Sequence, residues 1–360
     1  FQEFETSKFI QKKLTDWKID FTTGWVETGI VATLQGKNPD SKCIGVRADM
    51  DALPILEKND VPYKSKNEGV MHACGHDVHS SILLGTAYCL SQMKDEFEGT
   101  VKFIFQPGEE KLPGGAKLMI EQGVLETPKV DQMIALHVFP DLEAGKIGFR
   151  PGMYMASCDE IYLKVKGKGG HGAMPHNTID PILISAHLVT SLQHLISRRK
   201  NPTIPSVLSF GRIEGLGATN VIPDEVNLQG TFRTLNEEWR KEAHLLLEKH
   251  ANELVKSFGG EIDVDIRKGY PYLENDASLT EKCRAACSSH LGEQNVVDLP
   301  IRMTGEDFSF FSHQVPSCFF RLGVRNESEG IVHGVHHSKF NIDEKAIKIG
   351  MQSFISIILA

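Results

Sequence analysis

Apolar positions along the first part of the chain fall into short blocks separated by segments of helical spacing. Lys42–Val46 reads as a buried strand, and His79–Met93 has helical spacing at Ile82, Leu83, Thr86 and Leu90. Thr100–Phe105 is a second β-rich run, Ala116–Gln122 is helical, and Gln132–Val138 is a third apolar strand. Strands alternating with helices predict an α/β sheet with crossover helices, in which ligands bind beyond the carboxyl ends of the strands. The residues suited to metals fall there: Asp49 and Asp51 after the first of these strands, Glu109 and Glu110 after the second, and His137 at the end of the third.

The pattern changes near Cys158. Ile161–Val165 reads as a strand and Ile182–Ser197 as a helix, while Val207–Ile213 and Val226–Leu235 alternate like half-exposed strands. A long helix over Glu237–Phe258 and a strand over Glu261–Arg267 follow. This β-α-β-β-α-β order is that of a ferredoxin-like α+β domain. After about Tyr270 the α/β pattern returns, with a helix near Leu279–Leu291, a strand at Ser317–Leu322 and a last helix at Glu344–Leu359. The expected organisation is a catalytic domain over residues 1–157 and 269–360, interrupted by a smaller domain over 158–268.

Composition narrows the class. A chain of 360 residues with 41% hydrophobic and 24% charged residues is an ordinary globular protein. A net charge of −8 argues against nonspecific attraction to nucleic acid or anionic lipid, and no apolar run is long enough to span a bilayer. The seven cysteines are odd in number and scattered, which fits buried thiols in a reducing compartment, the cytoplasm by default. The chain opens without Met and reads as a fragment, so an upstream signal peptide stays open.

His72-Ala-Cys74-Gly-His76-Asp-Val-His79 is the strongest local feature. Cys and His two residues apart on a glycine turn can present a thiolate and an imidazole to one cation. Alone, such a pair is more often a buried thiol beside surface histidines. Asp51, Glu109, Glu110 and His137 at strand ends, with His333, His336 and His337 downstream, shift the balance towards metal. Thiolate, carboxylate and imidazole together suit zinc, manganese, nickel or cobalt without choosing among them. In Glu109-Glu110, adjacent side chains on a turn point different ways, so one can bind metal while the other acts as a base. The glycines of Gly167–His176 are too irregular for a dinucleotide fingerprint and better suit a flexible loop that carries His171. Arg233, in Gly230-Thr-Phe-Arg-Thr, could hold a carboxylate in bidentate fashion.

Taken together, these segments resemble the dinuclear-metal amidohydrolase and peptidase family of aminoacylases, hippurate hydrolase and the plant hydrolases of indole-acetyl-amino acids. The matching pieces are Arg47-Ala-Asp-Met-Asp-Ala-Leu-Pro54, His72-Ala-Cys-Gly-His-Asp77, Gln106-Pro-Gly-Glu-Glu110 and Ala135-Leu-His137. Gly169–His176, Thr219-Asn-Val-Ile-Pro223, Gly305-Glu-Asp-Phe308 and Val335–Glu344 complete the set, in order along the chain. The opening Phe1–Thr6 looks like the tail of the family's amino-terminal motif, which implies a short helix ahead of it.

The resemblance implies a catalytic domain of the zinc-exopeptidase type with an inserted lid that also forms a homodimer. It implies two divalent ions, zinc or manganese, on Cys74, His76, Glu110, His137 and His336, with Cys74 bridging. Glu109 is then the general base, Asp51 supports the ligands, and His171, from the partner's lid, polarises the substrate carbonyl near Asn220 and Arg233. Arg233 or backbone amides near Gly305 would hold the substrate carboxylate. Two positions depart from the family's pattern. Ser338 replaces a proline, so the ligand register rests on counting back from Phe340–Glu344, which selects His336 over His337. Thr304-Gly305 stands where a glycine pair is common. The expected reaction is hydrolysis of N-acyl amino acids to an acid and an amino acid. A dipeptidase or carboxypeptidase with the same chemistry is the alternative; a noncatalytic metal-binding sensor or a Cys-nucleophile hydrolase is a more distant one.

Overall fold

The computed structural model describes residues 1–360. Helix α1 (Phe4–Asp16) leads into β1 (Asp20–Trp25), β2 (Gly29–Gln35), β3 (Cys43–Asp49), α2 (His76–Ser91) and β4 (Thr100–Gln106). Then come α3 (Gly115–Glu121), β5 (Gln132–Glu143), β6 (Ile147–Phe149) and β7 (Gly152–Met155). The middle of the chain forms β8 (Asp159–Lys166), β9 (Gly170–His171), α4 (Pro181–His194), β10 (Ser206–Glu214), β11 (Val221–Ile222), β12 (Glu225–Thr234), α5 (Glu237–Ser257) and β13 (Glu261–Lys268). The last stretch holds β14 (Leu273–Asn275), α6 (Ala277–Leu291), β15 (Val296–Asp298), α7 (Ser309–Ser312), β16 (Ser317–Arg325) and α8 (Lys345–Leu359). The chain divides into two compact units. One takes in residues 1–154, 274–301 and 307–360, the other 155–273 and 302–306.

The first unit is built on an eight-stranded mixed sheet in the order β1-β2-β4-β3-β5-β16-β6-β15. Its middle is parallel: β3 pairs with β4 on one side and β5 on the other, and β5 pairs with β16. All residues of β3 and β4 are buried, which is why they read as largely apolar runs, broken by Arg47 and Lys102, rather than alternating ones. Ile82, Leu83 and Leu90 of α2 pack with Phe354 and Ile358 of α8 in the same core as Val46 and Phe103 of the sheet. From β3 the chain crosses through α2 to β4 on one side and returns to β5 on the other. The end of β3 therefore lies at a switch point of the sheet, where open α/β sheets leave a crevice for ligands.

The second unit is an antiparallel sheet in the order β10-β12-β8-β13, covered by α4 and α5. Ile161, Leu163 and Val165 alternate inward on β8 and meet Leu188, Leu192, Leu247 and Val255 from the helices. Both helices start on side-chain caps. Asp180 accepts from Ile182 and Leu183 N–H ahead of Pro181, and Asn236 accepts from Trp239 N–H.

Three details differ from the sequence expectation. The hairpin β1–β2 adds two antiparallel strands at one edge of the first sheet. His137 lies inside a 12-residue strand rather than at its end, because β5 goes on pairing with β16 as far as Glu143. The glycine-rich segment is not wholly loop, since Gly170 and His171 form a short ladder with Val221 and Ile222.

Candidate functional site

In the first unit, the turn ahead of α2 is shaped by Gly75, whose φ of +79° caps the helix in the left-handed region. A Cβ there would come within 2.6 Å of Val138 Cγ2, so glycine is required for both backbone and packing. This turn places Cys74 and His76 against the ends of β3 and β4.

Two buried imidazoles of the cluster, His76 and His137, are each oriented by a bond at Nδ1. His76 Nδ1 lies 3.0 Å from Asp51 Oδ1, and a carboxylate can only accept, so Nδ1 carries the hydrogen. Its Nε2 is buried with no hydrogen-bond partner. His137 Nδ1 donates to the Val138 carbonyl at 2.8 Å, and its Nε2 faces Cys74 Sγ at 3.4 Å. Burial and then Arg321 hold His137 well below the usual imidazole range, in its neutral, ligand-competent form. Asp51 uses its second oxygen to accept from Glu110 N–H at 2.8 Å, joining the His76 ring to the Glu109-Glu110 turn.

His336, at φ +63°, donates its backbone N–H to the Ala73 carbonyl at 2.7 Å, which ties the downstream loop to the Cys74 turn. Its Nε2 stands 2.9 Å from Glu110 Oε1, but the two are not aligned as a hydrogen bond, and that carboxylate oxygen is buried without one. Hydrogen bonding with Cys74, then the close contact with Glu110, push the His336 pKa up to about 10.

Three donor groups, each with all its ligand atoms within 4.8 Å of one another, follow from this arrangement: Cys74, His76 and His137; Cys74, Glu110 and His336; and His76, Glu109 and Glu110. The first two share Cys74. His76 Nε2 and Glu110 Oε1, buried without hydrogen bonds beside a thiol and two further imidazoles, fit divalent cations of the zinc and manganese kind.

Asp49, which the sequence marked only as suited to metals, and His79, to which it assigned no role, complete the surroundings. His79 is committed at both ring nitrogens, with Nδ1 2.6 Å from Asp49 Oδ1 and Nε2 accepting from Val138 N–H at 2.9 Å. It therefore has no lone pair for a cation, although it lies close enough to Asp49 and His76 to be one of a donor trio. Asp49 Oδ2 accepts from Arg47 Nη1 at 2.7 Å, and Arg47 Nη2 donates to Asp307 Oδ1 at 2.7 Å. Asp307 also accepts from the Gln106 side chain and from Ala116 N–H. Burial opposes charge on Asp49, yet His76 and Arg47 hold its carboxyl well below the usual range. The spacing of His76 and His79, one turn apart at a helix start, and the Arg-x-Asp of β3 were the available signals.

In the second unit, His171 and Asn220 are brought together by the β9–β11 ladder, with Gly172 N–H donating to the Asn220 carbonyl at 2.8 Å. His171 Nδ1 accepts from Ala173 N–H at 3.1 Å, so its exposed Nε2 carries a hydrogen. Arg233, on β12, donates through Nε to Thr231 Oγ1 at 2.9 Å and through Nη1 to Cys158 Sγ. Gly305 lies beside that pair: a methyl group on it would overlap the Cys158 sulfur and come within 3.1 Å of Arg233 Nη1.

A mixed sheet whose parallel middle has a switch point, with convergent metal donors around it, is the framework of a metal-dependent hydrolase. Residues 45–360 match the family described as Peptidase family M20/M25/M40, and the chain belongs to that family. It is 43% identical over 277 residues to an N-acyl-L-amino acid amidohydrolase of Geobacillus stearothermophilus, covering 77% of this chain and 74% of that protein. It is 38% identical over 353 residues to thermostable carboxypeptidase 2 of Saccharolobus solfataricus, covering 97% and 88%. The crystal structure of a dinuclear metal binding peptidase from Bacillus subtilis superposes with a TM-score of 0.82 at 32% identity, covering 100% of this chain and 92% of that one. The enzyme is accordingly a metal-dependent hydrolase of amide bonds acting on small molecules. No helix is long and apolar enough to cross a membrane.

Proposed function

We propose that the enzyme hydrolyses N-acyl amino acids to a carboxylic acid and a free amino acid. The observation that carries this reading is the pair of donor groups sharing Cys74, next to a second carboxylate, Glu109, in the same cluster. Cys74, His76, Glu110, His137 and His336 would hold two divalent cations, zinc or manganese, with Cys74 common to both. When bound, such a pair makes water acidic enough to supply hydroxide near neutral pH and polarises the scissile carbonyl.

The other steps belong to the protein's own groups. Glu109, 6% exposed, takes the proton from the attacking water and passes it to the leaving amine. Asp51 holds the His76 ring in the tautomer that turns Nε2 inwards. His171 donates from Nε2 to the amide oxygen as negative charge builds there, a contribution of roughly 3–4 kcal/mol for one such donor. Arg233, with Asn220 and the backbone at Gly305, receives the α-carboxylate. The organisation proposed with this chemistry is a catalytic domain over 1–157 and 269–360, and a lid over 158–268 through which two copies pair.

The second reading, a carboxypeptidase or dipeptidase, is favoured by the likeness to the thermostable carboxypeptidase. One experiment separates the two. N-acetyl-, N-benzoyl- and indole-acetyl-amino acids and plain dipeptides are offered to metal-stripped enzyme, to enzyme refilled with manganese or zinc, and to metal-filled Glu109→Gln. Metal-restored cleavage of acyl amino acids, absent in the variant, is the expected result. Cleavage of dipeptides alone moves the assignment to a peptidase, and activity that survives metal removal sinks the two-cation mechanism.

A further inference from the structure

Glu3 stands at the amino end of α1, yet its side chain does not cap the helix. The carboxylate is buried and turns instead to the loop that carries Glu109 and Glu110. Oε1 accepts from Gly108 N–H at 3.2 Å, and Oε2 accepts from Thr28 Oγ1 at 2.7 Å. Oε1 also lies 3.1 Å from the amino group of Phe1. Glu3 and Thr28 are 8% and 1% exposed, so water cannot readily replace either bond.

Gly108 is the pivot of that loop. Its φ of +61° is left-handed, and a Cβ on it would overlap the Phe1 ring, so the position requires glycine. Its carbonyl accepts from Gly115 N–H at 3.0 Å. Two residues on, Glu110 N–H donates to Asp51 Oδ2 at 2.8 Å. Glu109 therefore lies between two peptide N–H groups, each held by a buried carboxylate from a distant part of the chain. Glu3 comes from 105 residues before Gly108, and Asp51 from 59 before Glu110. Asp51 fixes the side of the turn that bears Glu110, and Glu3 fixes the side that leads into Glu109.

We infer that Glu3 is a positioning residue for the reaction: through Gly108 N–H it sets the backbone from which Glu109 reaches the attacking water. This rests on the reading of Glu109 as the base, and extends it to a residue at the far end of the chain. A base must come within about 2.6–3.2 Å of the group it deprotonates, so a displaced turn costs rate rather than binding. Glutamine at position 3 can still accept from Gly108 N–H and can donate to the Thr28 hydroxyl, without the charge. Alanine removes both contacts, and Thr28→Val removes the hydroxyl that holds the second oxygen.

The test uses metal-loaded enzyme and the N-acyl amino acid that it cleaves best in the panel above. kcat, KM, bound metal and thermal midpoint are measured for wild type, Glu3→Ala, Glu3→Gln, Thr28→Val, Glu109→Gln and the double variant Glu3→Ala with Glu109→Gln. The expected result is a kcat lowered roughly 10- to 100-fold in Glu3→Ala, with KM and bound metal unchanged. Glu3→Gln restores most of the rate, and Thr28→Val falls between. In the double variant, the loss of Glu109 masks that of Glu3. A lowered midpoint with kcat intact in Glu3→Ala overturns the inference and marks a merely structural role. It is also overturned if Glu3→Gln is as slow as Glu3→Ala, if lost metal accounts for the lost rate, or if the two losses add in the double variant. Should Glu3→Ala fail to fold, Thr28→Val decides, and an unchanged kcat there overturns the inference. If Glu109→Gln loses its rate while Glu3→Ala does not, only the role of Glu3 falls; if Glu109→Gln keeps its rate, the reading of Glu109 as the base falls too.

Discussion

His76 and Asp51 meet through Nδ1 and Oδ1 at 3.0 Å, while the other nitrogen of the same ring is buried without a hydrogen bond, 3.6 Å from Asp49 Oδ2. A buried polar atom without a partner costs roughly 1–3 kcal/mol, so this ring is oriented at a cost that a bound cation would relieve. Burial opposes the Asp51 charge, but His76 and the Glu110 N–H keep its carboxyl below the usual range. Asp51→Asn can still touch the ring but no longer selects its tautomer. We expect cation affinity to fall roughly 10- to 100-fold, read by titrating metal into stripped protein.

Glu109→Gln keeps the size and shape of the side chain but removes its charge and its basicity. The expected outcome is a drop in kcat of about 100- to 10,000-fold with bound metal unchanged, checked by elemental analysis beside single-substrate kinetics. Loss of metal in this variant would move Glu109 from base to ligand.

Removing the cations should destabilise the first unit, because ligand binding to the folded state is lost and His76 Nε2 and Glu110 Oε1 stay buried without a hydrogen bond. With free cation at a hundredfold excess over its Kd, each site contributes about 2.7 kcal/mol. The thermal midpoint should therefore fall on chelation and recover on adding manganese or zinc, and Cys74→Ser should show a smaller recovery.

Gly75→Ala tests the turn itself. A left-handed conformation costs a non-glycine residue roughly 1–2 kcal/mol, and the added methyl also meets Val138 at 2.6 Å. Urea unfolding should show a loss of at least that size, together with weaker cation binding as Cys74 and His76 shift.

Acid should weaken the second unit through Asp159. Burial opposes its charge, but hydrogen bonds from Arg240 and His244 hold the carboxyl below its usual value. With the folded pKa depressed, the stabilisation is fully present above the unfolded value near 4, and is lost as pH falls from there through the folded value. Asp159→Ala leaves Arg240 buried with Glu237 as its remaining carboxylate, at a cost of about 3–5 kcal/mol at pH 7. Its stability should also depend less on pH below 4 than that of wild type, measured by urea unfolding across that range.

The parallel strands were legible because burial on both faces makes β3, β4 and β16 largely apolar runs, each broken by one internal cation, Arg47, Lys102 or Arg321. The alternation of Ile161, Leu163 and Val165 marked a one-sided sheet in the same way. The hairpin strand Asp20–Trp25 escaped notice because its side chains are mostly exposed and polar, so no period stands out. What took β5 on to Glu143 was pairing with β16, nearly two hundred residues downstream, which no local pattern records.

The donor residues were likewise visible as types and spacings, since Cys74 and His76 lie two apart on a glycine turn and Glu109 and Glu110 follow a strand. The sequence by itself determined which chemistry was on offer. The tertiary structure alone decided which atoms remain available for it. His79 sits in the same motif as His76, yet Asp49 and the Val138 N–H occupy both of its nitrogens. The Nε2 of His76 is left without a hydrogen bond, 3.6 Å from Asp49 Oδ2, because Asp51 takes only Nδ1. The reason is physical: an imidazole has two nitrogens, and which one is spent depends on partners 25 to 60 residues away in sequence that only folding brings within 3 Å.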